Sequence, residues 1–212
     1  MNGSLDFRRV LAETVDDSIA VKRQTLETCA ETVEQVADAL FETLRTGGKI
    51  MLCGNGGSAA DAQHVAGEFV GRFLTERRPL PAMALNADTA ILTCVGNDYG
   101  FEQVFARQVT ALAAPGDVLV GISTSGESPN VLRALEAARQ RGVRTIAFTG
   151  MTGGKLRELA DICLCVPSTV TARIQETHIT LWHVICDVID QRLALAGLSE
   201  VGGAAGLVAG AP

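Results

Sequence analysis

Aromatic side chains are scarce in this sequence. One Trp, one Tyr and seven Phe make up 4% of the 212 residues, against 47% hydrophobic residues overall, so the core must be mostly aliphatic. Histidine is scarcer still, with three. No apolar run is long enough to span a bilayer. The stretch Met1 to Thr14 carries charges throughout and lacks the apolar core of a secretory signal. The six cysteines form no CxxC pair. Several lie in apolar runs such as Ile162-Cys163-Leu164-Cys165-Val166, and they read as small buried hydrophobes in a reducing compartment rather than as disulfides. A cytoplasmic protein is therefore expected. Basic charge is also in deficit, with 18 Lys and Arg against 24 Asp and Glu, a net charge of −6 and a pI near 5.1. That excludes nucleic acid as a main partner, because a phosphate backbone demands a basic surface. A small phosphorylated substrate stays open, since it needs only local donors. Neither the Gly-Lys-Ser/Thr of a P-loop nor the GxGxxG dinucleotide spacing occurs in the glycine-rich turn described below, which disfavours a nucleotide site. There is no internal repeat.

The length fits one domain with helical decoration. Residues 1–46 read as a helical extension. Phe7, Val10, Leu11, Val15 and Ile19 follow helical spacing, as do Leu26, Val33, Val36, Leu40 and Leu44 after a break expected near Thr25. Gly47-Gly48 stops the helix. A two-helix lead-in of this kind suits packing on another subunit. From Lys49 the texture changes. Short apolar runs (Ile50–Cys53, Ala82–Leu85, Val118–Ser123, Thr145–Thr149, Ile162–Val166) alternate with amphipathic stretches, and a long helix is expected from about Ala172 to Ala196. This pattern predicts an α/β domain over 47–196, with a doubly wound parallel sheet covered by helices and ligands at the carboxyl ends of the strands. Residues 197–212 are rich in small side chains and read as a flexible tail.

Two strand ends carry unusual loops. Gly54-Asn55-Gly56-Gly57-Ser58 follows the first strand. Its glycines permit close backbone approach to a ligand, and Ser58 is expected to cap the next helix, with Asp61 as a variant capping-box partner. A tight turn plus a cap would look the same. The second loop, Ser123-Thr124-Ser125-Gly126-Glu127-Ser128-Pro129, offers four hydroxyls in six residues after an apolar strand. Ser128 suits an N-cap and Pro129 the first helical position, so free N–H groups and the positive dipole end would face the loop. Hydroxyls with backbone N–H groups make a neutral cradle for a phosphate dianion.

His64 stands four residues before Glu68, so the two share a helix face at metal-ligand spacing; a plain surface contact has the same spacing. Gln175 and His183 lie on one stripe of the last helix but about 12 Å apart along its axis. Both can reach one ion only if that helix is broken or if they come from different subunits. His178 reads as a packing contact.

Together these residues resemble the sedoheptulose-7-phosphate (phosphoheptose) isomerases of the sugar-isomerase, or SIS, family. The resemblance runs from about Thr43 to Gln191. It rests on Gly54-Asn55-Gly56-Gly57-Ser58-Ala59-Ala60-Asp61-Ala62-Gln63-His64, Gly67-Glu68-Phe69, Gly96-Asn97-Asp98-Tyr99-Gly100, Ser123-Thr124-Ser125-Gly126 and Arg173-Ile174-Gln175-Glu176. It implies a five-stranded parallel sheet, a homotetramer with interfacial active sites, and one zinc per subunit on His64, Glu68, Gln175 and His183. It assigns the phosphate to Ser123, Thr124, Ser125 and Ser128, and the sugar to Asn55, Gly56, Gly57, Ser58, Asn97, Asp98 and Gln175. Glu68 and His183 would be the acid–base pair, with Asp61 as a charged helper. The implied reaction converts sedoheptulose 7-phosphate to D-glycero-D-manno-heptose 7-phosphate through an enediol, toward nucleotide-activated heptose and usually lipopolysaccharide. SIS domains also serve as sugar-phosphate sensors, and one relative associates with the bacterial replication initiator without isomerase work. That relative lacks the equivalents of Glu68 and His183, both present here.

Overall fold

The computed structural model describes residues 5–199. The chain runs α1 (Phe7–Arg45), β1 (Ile50–Gly54), α2 (Gly57–Val70), β2 (Ala82–Ala84), α3 (Thr89–Tyr99), a 3-10 turn (Phe101–Gln103), α4 (Ala106–Leu112), β3 (Val118–Ile122), α5 (Pro129–Gln140), β4 (Arg144–Gly150), α6 (Leu156–Leu159), β5 (Ile162–Val166) and α7 (Thr171–Leu195). The strands form one all-parallel sheet in the order β2-β1-β3-β4-β5, as the alternating pattern predicts. The order reverses between β1 and β3. Their loops therefore open on the crevice where such sheets bind ligands.

Successive residues of β1 face opposite cores. Ile50 and Leu52 pack toward α1, α2 and α7, with Leu40, Val65, Phe69 and Trp182. Met51 and Cys53 pack toward α4 and α5, with Val109, Val131 and Leu135. A period of two with both faces buried is what makes these strands read as unbroken apolar runs. Trp182 stacks on Phe148 at 4.5 Å between ring centres and fixes α7 against β4.

The N-terminal extension corrects one expectation. There is a single helix from Phe7 to Arg45, with no break at Thr25. The Thr25 hydroxyl donates to the Val21 carbonyl at 2.7 Å, so its polar group is satisfied inside the helix and the side chain is buried. The C-terminal half of α1 packs on α7 and β5, whereas Phe7, Val10, Leu11, Val15 and Ile19 stand exposed. Of the 197–212 tail, Leu198 packs on the core and accepts from the Arg78 guanidinium at 3.2 Å. Residues 200–212 lie outside the described residues.

Candidate active site

The β1 loop makes its turn on glycine. Gly56 has φ 56° and ψ −123°, a conformation that only glycine adopts without strain. Helix α2 then starts at Gly57, two residues earlier than a Ser58 cap anticipates. Ser58 and Ala59 donate their N–H groups to the Asn55 and Gly56 carbonyls, at 3.0 Å each. Gly56 is thus the cap, and Ser58 is a buried residue of the first turn. The Asp61 capping partnership is lost with it. One Asp61 oxygen is buried without a hydrogen-bond partner, and burial pushes this carboxyl up to about 6, with nearby His64 pulling the other way. The Gln175 amide lies directly over Gly57: a Cβ there would stand 2.6 Å from its Nε2.

The β3 loop gathers its hydroxyls. Ser123 Oγ lies 2.8 Å from Ser128 Oγ and 3.4 Å from Ser125 Oγ, while the Glu127 N–H donates to Ser125 Oγ at 3.2 Å. Ser128 holds the cap position of α5 and Pro129 its first turn, as expected. The Ser128 hydroxyl makes no capping bond of its own and turns toward Ser123, which leaves it directed at the loop interior. Thr124 is half-buried beside it.

One residue that sequence reasoning passed over joins the two loops. Asn130, buried in the first turn of α5, forms a reciprocal amide pair with Asn55: each Nδ2 donates to the other Oδ1, at 2.8 and 2.9 Å. The Asn130 oxygen also accepts the Val131 N–H at 3.0 Å. The only local cue was an Asn beside Pro129. Its partner is 75 positions away in sequence.

His64, Glu68 and His183 come together on α2 and α7 within one chain. The two imidazole Nε2 atoms are 3.1 Å apart, and His64 Nε2 is 3.2 Å from Glu68 Oε1. Phe73 stacks on His183 with ring centres 5.5 Å apart. The buried Arg77–Asp190 pair, at 2.6 Å, ties α7 to the end of α2, and Arg77 also donates to the Glu68 and Phe69 carbonyls at 2.7 and 2.9 Å. Nothing in the spacing of Arg77 signals this role. The donor chemistry suits zinc: zinc–nitrogen bonds of about 2.0–2.1 Å put two tetrahedral nitrogens roughly 3.3 Å apart, close to the 3.1 Å between these two Nε2 atoms. As placed, no group of three or more His, Cys, Asp or Glu among the described residues closes around one ion. Gln175 is not with the trio. Helix α7 is unbroken from Thr171 to Leu195, so Gln175 stays at the glycine loop, two turns from His183.

Asn97 and Asp98 share no hydrogen bond with either group among the described residues. They are exposed near the end of α3, where Asn97 donates to Asp98 at 2.8 Å. His178 is a packing residue. It is fully buried, its Nε2–H donates to the Thr149 carbonyl at 3.0 Å, and burial draws it down to about 4, so it stays neutral.

The SIS domain family profile matches residues 15–150. A phosphoheptose isomerase from Roseiflexus sp. is 56% identical over 194 residues, covering 91% of this chain and 98% of the relative. Among solved structures, phosphoheptose isomerase GmhA from Neisseria gonorrhoeae superposes with a TM-score of 0.82 at 47% identity, covering 87% of this chain and 98% of that one. A phosphoheptose isomerase from Francisella tularensis gives 0.85 at 42% identity, covering 88% and 100%.

Proposed function

This chain belongs to the phosphoheptose isomerases of the SIS-domain family, and from that premise we propose that it converts sedoheptulose 7-phosphate to D-glycero-D-manno-heptose 7-phosphate. It is an aldose–ketose isomerase. The observation that carries the substrate reading is the pairing of a hydroxyl cradle at a helix N-terminus with an imidazole–carboxylate trio further along α2 and α7. A sugar phosphate needs the first for its anion and the second for its carbonyl end.

Ser123, Ser125 and Ser128 donate to the phosphate with the N–H groups of α5, and Thr124 adds a fourth hydroxyl. The helix dipole supplies the positive field that an acidic protein otherwise lacks. Asn55, held by Asn130, and the backbone of Gly56 and Gly57 line the sugar, with Gln175 against them and Asn97 and Asp98 as outer contacts. Glu68 removes the proton at C1 of the ketose and returns it at C2, while His183 relays the proton between the two oxygens. Both atoms of the enediol must therefore lie within hydrogen-bond reach of the α2–α7 trio. Asp61, half-buried one turn before His64 and with a carboxyl oxygen free, donates to or accepts from a sugar hydroxyl. His64, Glu68 and His183 would hold one zinc per subunit, together with Gln175 of the partner subunit. Bound there, zinc would polarise the carbonyl and steady the enediolate.

Two surfaces support a homotetramer with interfacial sites. The first third of α1 exposes Phe7, Val10, Leu11, Val15 and Ile19, and an apolar groove between α1 and α7 is lined by Leu26, Val33, Leu181, Val184 and Val188. No helix among the described residues is long and apolar enough to cross a membrane. We place the enzyme in the cytoplasm, feeding nucleotide-activated heptose synthesis. A sensor or replication-initiator-associating role without turnover is not favoured, because Glu68 and His183 are both in place. The test is an isomerase assay with heptulose and hexulose phosphates beside metal analysis and light scattering. Aldoheptose phosphate formation by a zinc-containing oligomer is expected. A protein that stays inactive with added zinc, or is fully active as a monomer, overturns the respective part.

A further inference from the structure

Cys163 and Cys165 are not the buried hydrophobes that the sequence suggests. Both are half-buried on β5, the outer strand of the sheet. Two positions apart on a strand, they share a face, and the four-residue α6 is the helix nearest that face. Their sulfurs are 3.6 Å apart, and the Thr149 hydroxyl on β4 lies 3.3 Å from Cys165 Sγ. The two thiols are pushed in opposite directions. Cys163 is raised, first by its hydrogen bond to Cys165 and then by burial. Cys165 is lowered by the Cys163 hydrogen bond first, then by Thr149 and the Arg157 charge, against the cost of burial. One thiol keeps its proton and donates it; the other is the nucleophile. The remaining cysteines differ. Cys53 and Cys186 are buried and pushed up to about 12, Cys29 is buried, and Cys94 is exposed with no thiol beside it.

This pair touches the back of the hydroxyl cradle. Cys165 Sγ stands 2.9 Å from where a Cβ would sit on Gly153, and the Gly153 carbonyl is packed against Gly126. Three further bonds clamp the same segment to the cradle. Gly150 N–H donates to the Thr124 carbonyl at 3.0 Å, Leu156 N–H to the Gly126 carbonyl at 3.1 Å, and Lys155 N–H to the Glu127 carboxylate at 2.9 Å. Gly126 and Gly153 pack backbone to backbone with no room for a Cβ between them, so a shift of Gly153 passes to the turn.

We propose that Cys165 and Cys163 form an oxidation site through which hydrogen peroxide weakens the phosphate cradle. The Cys165 thiolate attacks one peroxide oxygen; the S–O bond forms, the O–O bond breaks and hydroxide leaves. The sulfur gives up two electrons and becomes a sulfenic acid. That hydroxide takes the Cys163 proton as water, and the Cys163 sulfur attacks Cys165. The S–S bond forms, the S–O bond breaks and a second hydroxide departs. In sum, one thiol, one thiolate and one peroxide give a disulfide, one water and one hydroxide. Two residues of strand span about 6.6 Å, inside the roughly 4.4–6.8 Å that a disulfide allows between Cα atoms, but side chains on one strand face keep that spacing at Cβ, where a disulfide needs about 3.5–4.5 Å, so closure must bend β5. Closure therefore draws Cys165 Sγ toward Cys163 and away from Gly153. The consequence for binding rests on the assignment of Ser123–Ser128 to phosphate; the oxidation itself does not.

The test treats the whole protein with hydrogen peroxide, alkylates the remaining thiols, maps the peptides, and measures KM and kcat before and after dithiothreitol. Calorimetry with inorganic phosphate gives a readout independent of turnover. The expected result is loss of two hydrogens from the peptide holding Cys163 and Cys165. KM should rise several-fold with kcat little changed, both reversed by dithiothreitol, and Cys165→Ser should keep an unaltered KM under peroxide. Cys94→Ser should behave as the parent protein. Oxidation confined to Cys94, or a complete Cys163–Cys165 disulfide with phosphate affinity unchanged, overturns the proposal. Should the untreated protein show no isomerase activity, the isomerase reading fails, and the peptide map with phosphate calorimetry still decides this one.

Discussion

The cradle at the β3 loop and the trio on α2 and α7 are built by different means. The cradle is completed inside one chain. Three serine hydroxyls meet at the start of α5, and the Asn55–Asn130 amide pair binds its neighbouring loop to the same turn. The trio has two imidazoles and a carboxylate in contact, but its fourth companion lies two turns away on an unbroken helix. Part of the trio is also open to solvent, with the His64 side chain 46% exposed and Glu68 23%. A preorganised anion site can bind before any chemistry happens. A reactive site that needs a second subunit acts only in the assembled enzyme. On the proposed function, that difference would assign affinity to the single chain and turnover to the assembly.

Glu68→Gln breaks that comparison most sharply. It preserves the shape of the side chain and removes the base. Turnover should fall by about 10²–10⁴-fold, the usual worth of a positioned general base, while calorimetry shows inorganic phosphate binding unchanged. Loss of both together would mean that the two regions are not separable. Asp190→Ala tests what holds the trio in place. Arg77 and Asp190 are each 1% exposed, and removing one partner of a buried pair costs about 3–5 kcal/mol. A denaturant melt should show that loss. A melt midpoint near that of the parent would mean that the α2–α7 junction is held by apolar packing alone.

The sheet was legible because each strand is a short apolar run between turn signals, buried on both faces. Both loops were legible because their residue types, glycines in one and hydroxyls in the other, are local. The start of α2 was misread by two residues, since Ser58 is a good cap in general and only the Gly56 backbone shows that the turn has already closed. The break at Thr25 was misread because a threonine satisfied by its own helix leaves no trace in the pattern. Asn130 and Arg77 were invisible for another reason. Their partners, Asn55 and Asp190, are 75 and 113 positions distant, and only folding pairs them. Gln175 and His183 were the reverse case, where spacing alone stated the geometric problem that the unbroken helix then posed in full.

Asn130→Ala sharpens the comparison from the cradle side. It leaves Asn55 without its amide partner and frees the glycine loop from α5. Unpairing a buried amide costs about 1–3 kcal/mol, so KM for the sugar phosphate should rise by about an order of magnitude, with kcat changed less. Asn130→Asp restores an acceptor for the Asn55 Nδ2 and should recover part of the loss. Equal falls in kcat for both variants would place Asn130 with the trio instead.

Asp61 sits between the two regions, three residues after Ser58 and three before His64, and its effect is the smallest. Burial raises its carboxyl from 3.8 to about 6, with His64 opposing. The sign follows from linkage. An acid raised by folding is neutral in both states below its unfolded pKa and ionised in both above its folded one. The stability that it contributes is present below about 3.8 and is lost as pH rises to about 6. The parent protein should therefore lose melting temperature relative to Asp61→Asn across that window, with the gap constant on either side. The orphaned Asp61 oxygen makes the amide a fair replacement, because it breaks no existing bond. In the assembled enzyme the same variant should also flatten the acid limb of the kcat/KM profile. A melting difference that does not change with pH would mean that Asp61 is solvated like a surface carboxylate. It would then link neither the cradle nor the trio.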